Sequence, residues 1–125
     1  MAATILICDD EDVLRELVRA SLAERTVNVL EASTGDEALA VARRRRPDLI
    51  VIDMMMPGRS GLEVVREARS DPNLAETPVI LLTARAQAAD RDAATDAGVT
   101  RFVAKPFSLQ TLLDAVDELL AAGAA

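Results

Sequence analysis

Short aliphatic runs alternate with amphipathic stretches five times along the chain, the rhythm of repeated βα units. The runs Thr4 to Cys8, Val27 to Glu31, Leu49 to Asp53, Val79 to Thr83 and Arg101 to Ala104 predict strands. Three of them, the first, third and fourth, are almost continuously aliphatic, as parallel strands covered on both faces should be. Val13, Leu14, Leu17, Val18 and Leu22 recur at helical spacing and mark the apolar stripe of a first helix. Leu109, Leu112, Leu113, Val116, Leu119 and Leu120 do the same for a last one. Thr34 with Glu37, and Ser60 with Glu63, have capping-box spacing. Pro47, Pro78 and Pro106 stand where the chain should change direction, and Gly98 is placed to end a fourth helix. The second strand, with Asn28 inside it, reads as an edge, and the apolar face of the fourth helix is mostly alanine.

Right-handed crossovers with short connections close such a series into a doubly wound α/β sheet of five parallel strands, sandwiched between helices. Ligands of these sheets bind beyond the carboxyl ends of the strands, where strand order reverses. Polar residues collect at those ends. Asp9 and Asp10 follow the first strand, Asp53 closes the third, Thr83 closes the fourth and Lys105 follows the fifth.

Composition narrows the chemistry. With 125 residues, half of them hydrophobic, the chain is one globular domain with enough core to fold without disulfides. The single cysteine, Cys8, closes a central strand and reads as a small buried hydrophobe. The absence of histidine excludes His-based acid–base catalysis, Ser-His-Asp triads and histidine-ligated zinc. A net charge of -7 opposes docking on nucleic acid or an anionic membrane. The N-terminus has no basic leader and only a short apolar run, so a cytoplasmic location is expected, without signal peptide or membrane span. The run Arg43 to Arg46 reads as the solvated last turn of the second helix, favourable to its dipole.

Each polar residue at the strand ends carries two readings. Asp9 to Asp12 form either an N-cap and acidic first turn or part of a cation site. Asp53, closing the apolar run Leu49 to Ile52, is costly to bury unless a cation compensates it. Carboxylates brought together repel, which implies a dedicated cation, and Mg²⁺ suits an oxygen-only site that keeps water and takes a phosphate oxygen. Lys105 is the only lysine among fourteen basic residues; its compact ammonium suits Asp53 or a phosphoryl oxygen, or else it is a solvated surface lysine. An X-Pro bond after it adopts cis at low cost, which would turn its side chain inward. Thr83 is either an ordinary β-branched strand residue or a hydroxyl donor to phosphate.

The ordered set resembles the receiver domain of bacterial two-component response regulators, the chemotaxis-regulator-like phosphoacceptor module. Ile5 to Glu11 is similar to the family's first strand and acidic pair; Pro47 to Asp53, Met55-Met56-Pro57-Gly58 and Gly61-Leu62-Glu63 to its acceptor strand and loop; Thr83-Ala84 and Lys105-Pro106-Phe107 to the remainder. The resemblance covers residues 1–121, with 122–125 set apart as a short Ala/Gly tail, and implies the flavodoxin-like strand order 2-1-3-4-5. It further implies that Asp53 takes a phosphoryl group from the phosphohistidine of a sensor histidine kinase or histidine phosphotransfer protein. Asp9, Asp10, Asp53 and the Met55 carbonyl would hold Mg²⁺, while Thr83 and Lys105 contact the phosphoryl oxygens. Thr83 and Phe102 would form the switch, moving a face built of the fourth helix, fifth strand and fifth helix toward a downstream protein target or effector domain.

Some positions depart from the family's usual pattern. Phe102 lacks the hydroxyl many members carry there, so its switching works by packing or it is merely core. Met55 and Arg85 stand where the family controls water access to the acyl phosphate, implying slow self-hydrolysis. The loop methionines Met54 to Met56 are expected to supply packing. The last helix carries Asp114, Asp117 and Glu118 and no arginine, which argues for a monomer rather than a dimer through that face. Three rivals remain. A Mg²⁺-dependent aspartyl phosphohydrolase needs a carboxylate two residues after the nucleophile, where Met55 stands; a flavodoxin-like carrier needs a Ser/Thr/Gly phosphate loop, where Asp9 to Asp12 stand; a degenerate receiver, acting only as a binding module, would lack key positions that are filled here.

Overall fold

A computed structural model describes residues 2–84 and 88–124, with main chain only at 88–90 and 123–124. Each aliphatic run forms its strand: β1 (Ala3–Cys8), β2 (Val27–Ala32), β3 (Leu49–Asp53), β4 (Val79–Thr83) and β5 (Arg101–Ala104). Between and after them run α1 (Asp12–Ser21), α2 (Gly35–Arg45), α3 (Gly61–Arg69), α4 (Ala88–Ala97) and α5 (Leu109–Ala124). The last helix thus continues into the Ala/Gly stretch 122–124. All strand pairs are parallel and the order is β2-β1-β3-β4-β5, with β2 and β5 at the edges, so strand order reverses between β1 and β3.

The sheet separates two apolar layers. On one face Leu6, Cys8, Ile50, Ile52 and Leu81 meet α2, α3 and α4 through Leu39, Val65, Ala68, Ala94 and Ala97. On the other, Ile5, Ile7, Val51, Ile80 and Leu82 meet α1 and α5 through Val18, Leu22, Leu112 and Val116. The central strands β3 and β4 are buried at every residue, which is why they read as unbroken aliphatic runs. Each fully buried Leu or Ile contributes roughly 1.5–3 kcal/mol of transfer free energy.

The α1 stripe is narrower than its spacing predicts. Leu14, Val18 and Leu22 turn inward, but Val13 is 75% and Leu17 47% exposed. Helix α1 has Glu11 at its N-cap position, without a side-chain capping hydrogen bond, and Asp12 in an acidic first turn. The other two caps form: Thr34 accepts from the Glu37 amide and Ser60 from the Glu63 amide. Helix α2 ends in the exposed run Arg43 to Arg46, the reading of a solvated last turn. Gly98, at φ 101°, ends α4 in a conformation that side-chain-bearing residues rarely adopt. Among the described residues no helix is long and apolar enough to cross a membrane.

Candidate functional site

Register determines what the strand ends bring together. Cys8 lies opposite Ile52, so the next residue of β1, Asp9, emerges beside Asp53, the last of β3. Asp53 in turn lies opposite Leu82, and Thr83 opposite Ala104, which places Thr83 and Lys105 on the same rim. One oxygen from each of Asp9, Asp10 and Asp53 lies within 4.8 Å of the others. Lys105 Nζ stands 3.1 Å from Asp53 Oδ2 and 3.2 Å from Asp9 Oδ2, bridging residues remote in the chain. The Lys105–Pro106 peptide is cis.

Burial sets the electrostatics. Asp9 is fully buried, Asp53 is 6% exposed and Asp10 is exposed. Burial raises the Asp9 pKa above the ordinary carboxylate value; the Asp53 charge adds to this, while the Glu11 amide and Lys105 oppose it. Burial alone would lower the Lys105 pKa, yet the hydrogen bond and charge of Asp53, then those of Asp9, outweigh it and leave it raised. Three carboxylates therefore face one ammonium. The excess negative charge, carried on oxygens alone, fits a hard divalent cation such as magnesium. Lys105 is only partly solvated and makes two ion pairs, unlike a free surface lysine.

Main-chain donors fix the carboxylates. Asp9 Oδ1 accepts from the Glu11 amide at 2.9 Å, and Asp53 Oδ1 accepts from the Met55 amide at 3.3 Å. The Met55 backbone thus adjoins Asp53, but its side chain is 73% exposed and supplies no packing, unlike Met54 and Met56, which pack against the core. Arg85 lies outside the described residues. Thr83 is buried at the end of β4 and its carbonyl accepts the Lys105 amide at 2.7 Å. Phe102 sits lower, partly buried, opposite Leu81 in the layer under α4. Cys8 is fully buried and its thiol pKa is pushed up by burial, which removes it from redox chemistry.

Two supports were not legible as site residues. The Arg15 side chain, one turn into α1, donates to the Asp9 carbonyl at 2.6 Å and also pairs with Asp12 and Glu31. Only the Asp12/Arg15 spacing hints at it. Gly61 opens α3 against the end of β3: a Cβ there would lie 2.4 Å from the Asp53 carbonyl oxygen, so only glycine permits the approach.

Known proteins are similar to this chain in sequence and in fold. Residues 5–117 match the family model of the response regulator receiver domain. The probable transcriptional regulatory protein TcrX of Mycobacterium tuberculosis is 44% identical over 111 residues, 88% of this chain and 46% of that protein. The chain spans about half the length of the curated relatives it matches. Among solved structures, the chemotaxis response regulator CheY4 of Vibrio cholerae superposes with a TM-score of 0.90 at 31% identity, covering 95% of this chain and 99% of that one. The receiver domain of sensor histidine kinase PA1611 from Pseudomonas aeruginosa, described with a magnesium ion coordinated in its active site cleft, gives 0.86 at 30% identity, covering 97% and 99%. With the family model, the strand order and the acidic rim in agreement, the chain belongs to the response regulator receiver domains, the phosphoacceptor modules of two-component signalling.

Proposed function

We propose that Asp53 is the phosphoacceptor. A carboxylate oxygen of Asp53 attacks the phosphorus of a phosphohistidine on a sensor histidine kinase or histidine phosphotransfer protein; the P–O bond forms, the P–N bond breaks, and the donor imidazole leaves with a proton. The observation that carries this reading is the Lys105 ammonium 3.1 Å from a carboxylate that is otherwise buried beside two others. Such a transfer needs positioning and neutralisation of oxygen charge rather than covalent machinery. Lys105 neutralises Asp53 before transfer and a phosphoryl oxygen after it. Thr83, at the neighbouring strand end, donates its hydroxyl to another phosphoryl oxygen, and Phe102 answers by repacking. The carboxylates of Asp9, Asp10 and Asp53 fit Mg²⁺, and the Met55 carbonyl would complete the set; when bound the ion would supply positive charge to the transferring oxygens.

The donor reaches this rim from the α1 side. A groove of about 450 Å³ lined by Leu14, Leu17, Pro106 and Phe107 opens at Lys105 itself, and Val13 and Leu17 stand in solvent beside it. This supports an apolar contact with the phosphodonor protein. Downstream, the α4, β5 and α5 face contacts a protein target or effector domain in the cytoplasm, without direct nucleic-acid binding, the chain itself being a monomer.

Intact-mass measurement tests the proposal. Incubation with Mg²⁺ and acetyl phosphate should add one phosphoryl group, and Asp53→Asn should abolish the adduct. Catalytic turnover of a phosphomonoester would instead make the chain a phosphohydrolase, and no adduct would leave a binding module; either result overturns the reading.

A further inference from the structure

Strand β2 is an open sheet edge, since its only neighbour is β1. The Asp9 amide donates to the Ala32 carbonyl, so Ala32 and, by the alternation of a parallel ladder, Leu30 and Asn28 turn their peptide groups toward β1. Val29 and Glu31 turn theirs outward. An edge of this length normally carries a proline, a bulge or a lysine that blocks pairing. None stands in Val27–Ala32.

Along this edge runs a groove of about 440 Å³, lined by Val27 to Leu30 and by three arginines from three different places. Arg19 comes from α1 and Arg25 from the α1–β2 turn, while Arg45 comes from the last turn of α2 across the sheet. Arg19 pairs with Glu31 and Arg25 with Asp117, both exposed ion pairs that exchange partners at little cost. Among the described residues no ion pair involves Arg45, and Arg44 to Arg46 are all exposed. Asp117, then Glu24 and Asp114, are the acidic groups acting on Arg25, and Glu31 is the one on Arg19. On a chain of net charge -7 this is a concentrated cationic edge.

We propose that the β2 edge binds an extended, acidic segment of a partner protein by strand addition. The Val29 and Glu31 peptide groups supply the ladder, and the arginines supply the selectivity. Side chains of an added strand alternate between the two faces. Consecutive Asp or Glu residues would then reach Arg19 and Arg25 on one face and Arg45 on the other. A second copy of this chain is disfavoured as the occupant, because it would bring the same arginines against these. Nucleic acid offers no backbone ladder for the strand edge. The proposal is independent of phosphorylation at Asp53.

The test uses the whole chain and a fluorescent peptide of three Val-Glu-Glu blocks, with a peptide of three Val-Lys-Lys blocks as control. Anisotropy should show binding of the acidic peptide alone, and amide hydrogen exchange should slow at Val29 and Glu31 while Leu30 is unchanged. Arg19→Gln with Arg45→Gln should weaken binding roughly tenfold, and N-methylation of the peptide backbone should abolish it with the charges intact. Absence of binding, binding without protection of Val29 and Glu31, tighter arginine-dependent binding of a single-stranded oligonucleotide, or protection of those amides by self-association at high protein concentration would each overturn it.

Discussion

Lys105 is one ammonium answering two buried carboxylates, and removing it leaves Asp9 and Asp53 facing each other without a counter-charge. Lys105→Met should therefore lower stability by about 1–3 kcal/mol at neutral pH, less than for a fully buried pair because the lysine is partly solvated. Urea denaturation reads this directly, and millimolar Mg²⁺ should restore part of the loss by taking the same charge. An unchanged midpoint would show that the pair contributes nothing. The convergence of Asp9, Asp53 and Lys105 was legible in the sequence because each sits one step from the carboxyl end of a predicted parallel strand. Arg15 was not, because its contact is with a main-chain carbonyl that carries no sequence signal. Spacing left Asp9 open between cap and cluster; the structure buries it beside Asp53 and Lys105 and leaves the capping position to Glu11.

At the scale of elements, α3 is held to the acceptor strand through a single atom's width. Gly61→Ala would place its Cβ 2.4 Å from the Asp53 carbonyl oxygen, forcing α3 and the Met55 loop away. A cost of about 1–3 kcal/mol is expected, together with slower phosphorylation by acetyl phosphate; a variant with wild-type rate and stability would show that the loop adjusts freely. Helix α5 is tied to the α1–β2 turn by Arg25, which donates to both Asp117 oxygens at 2.7 and 2.8 Å. That hydrogen bond, with the Arg25 charge, holds the Asp117 pKa below its ordinary value. A depressed carboxylate pKa stabilises above the unfolded value and is lost as pH falls through the folded one. The stability difference between wild type and Asp117→Asn should be about 0.2–1 kcal/mol at neutral pH and vanish on acidification past that point; a pH-independent difference would assign it to packing instead. Elements themselves were readable because strand runs and helix stripes differ in period. The width of a stripe was not: Val13 and Leu17 lie on an i,i+4 line one residue round from Leu14, Val18 and Leu22, and only packing against α5 and the sheet decides which line is covered.

For the molecule as a whole, a signal must leave the rim through whichever part is held least firmly. Helix α5 buries Leu112, Ala115 and Val116, and α3 buries Leu62, Val64, Val65 and Ala68, whereas α4 buries only Ala94 and Ala97 among its described side chains. Alanine burial removes far less apolar surface than leucine, so α4 has little to lose by moving. Its last turn is the exception, pinned where the Arg69 guanidinium donates to the Gly98 carbonyl at 2.8 and 3.1 Å. Phe102 packs into the same layer as Ala94 and Ala97, on the strand whose last residue lies opposite Thr83. Packing through β5 and the aromatic ring would give a shift at the rim a route to α4. Amide exchange in the unmodified protein should accordingly open α4 before α2, α3 and α5, with protection rising toward Ala97. Phosphorylation should change exchange in α4 and β5 while leaving α2 as it was, and Thr83→Ala should keep the phosphoryl adduct but lose that change. If α4 exchanges identically with and without the adduct, the output face lies elsewhere and its weak anchoring has no part in signalling.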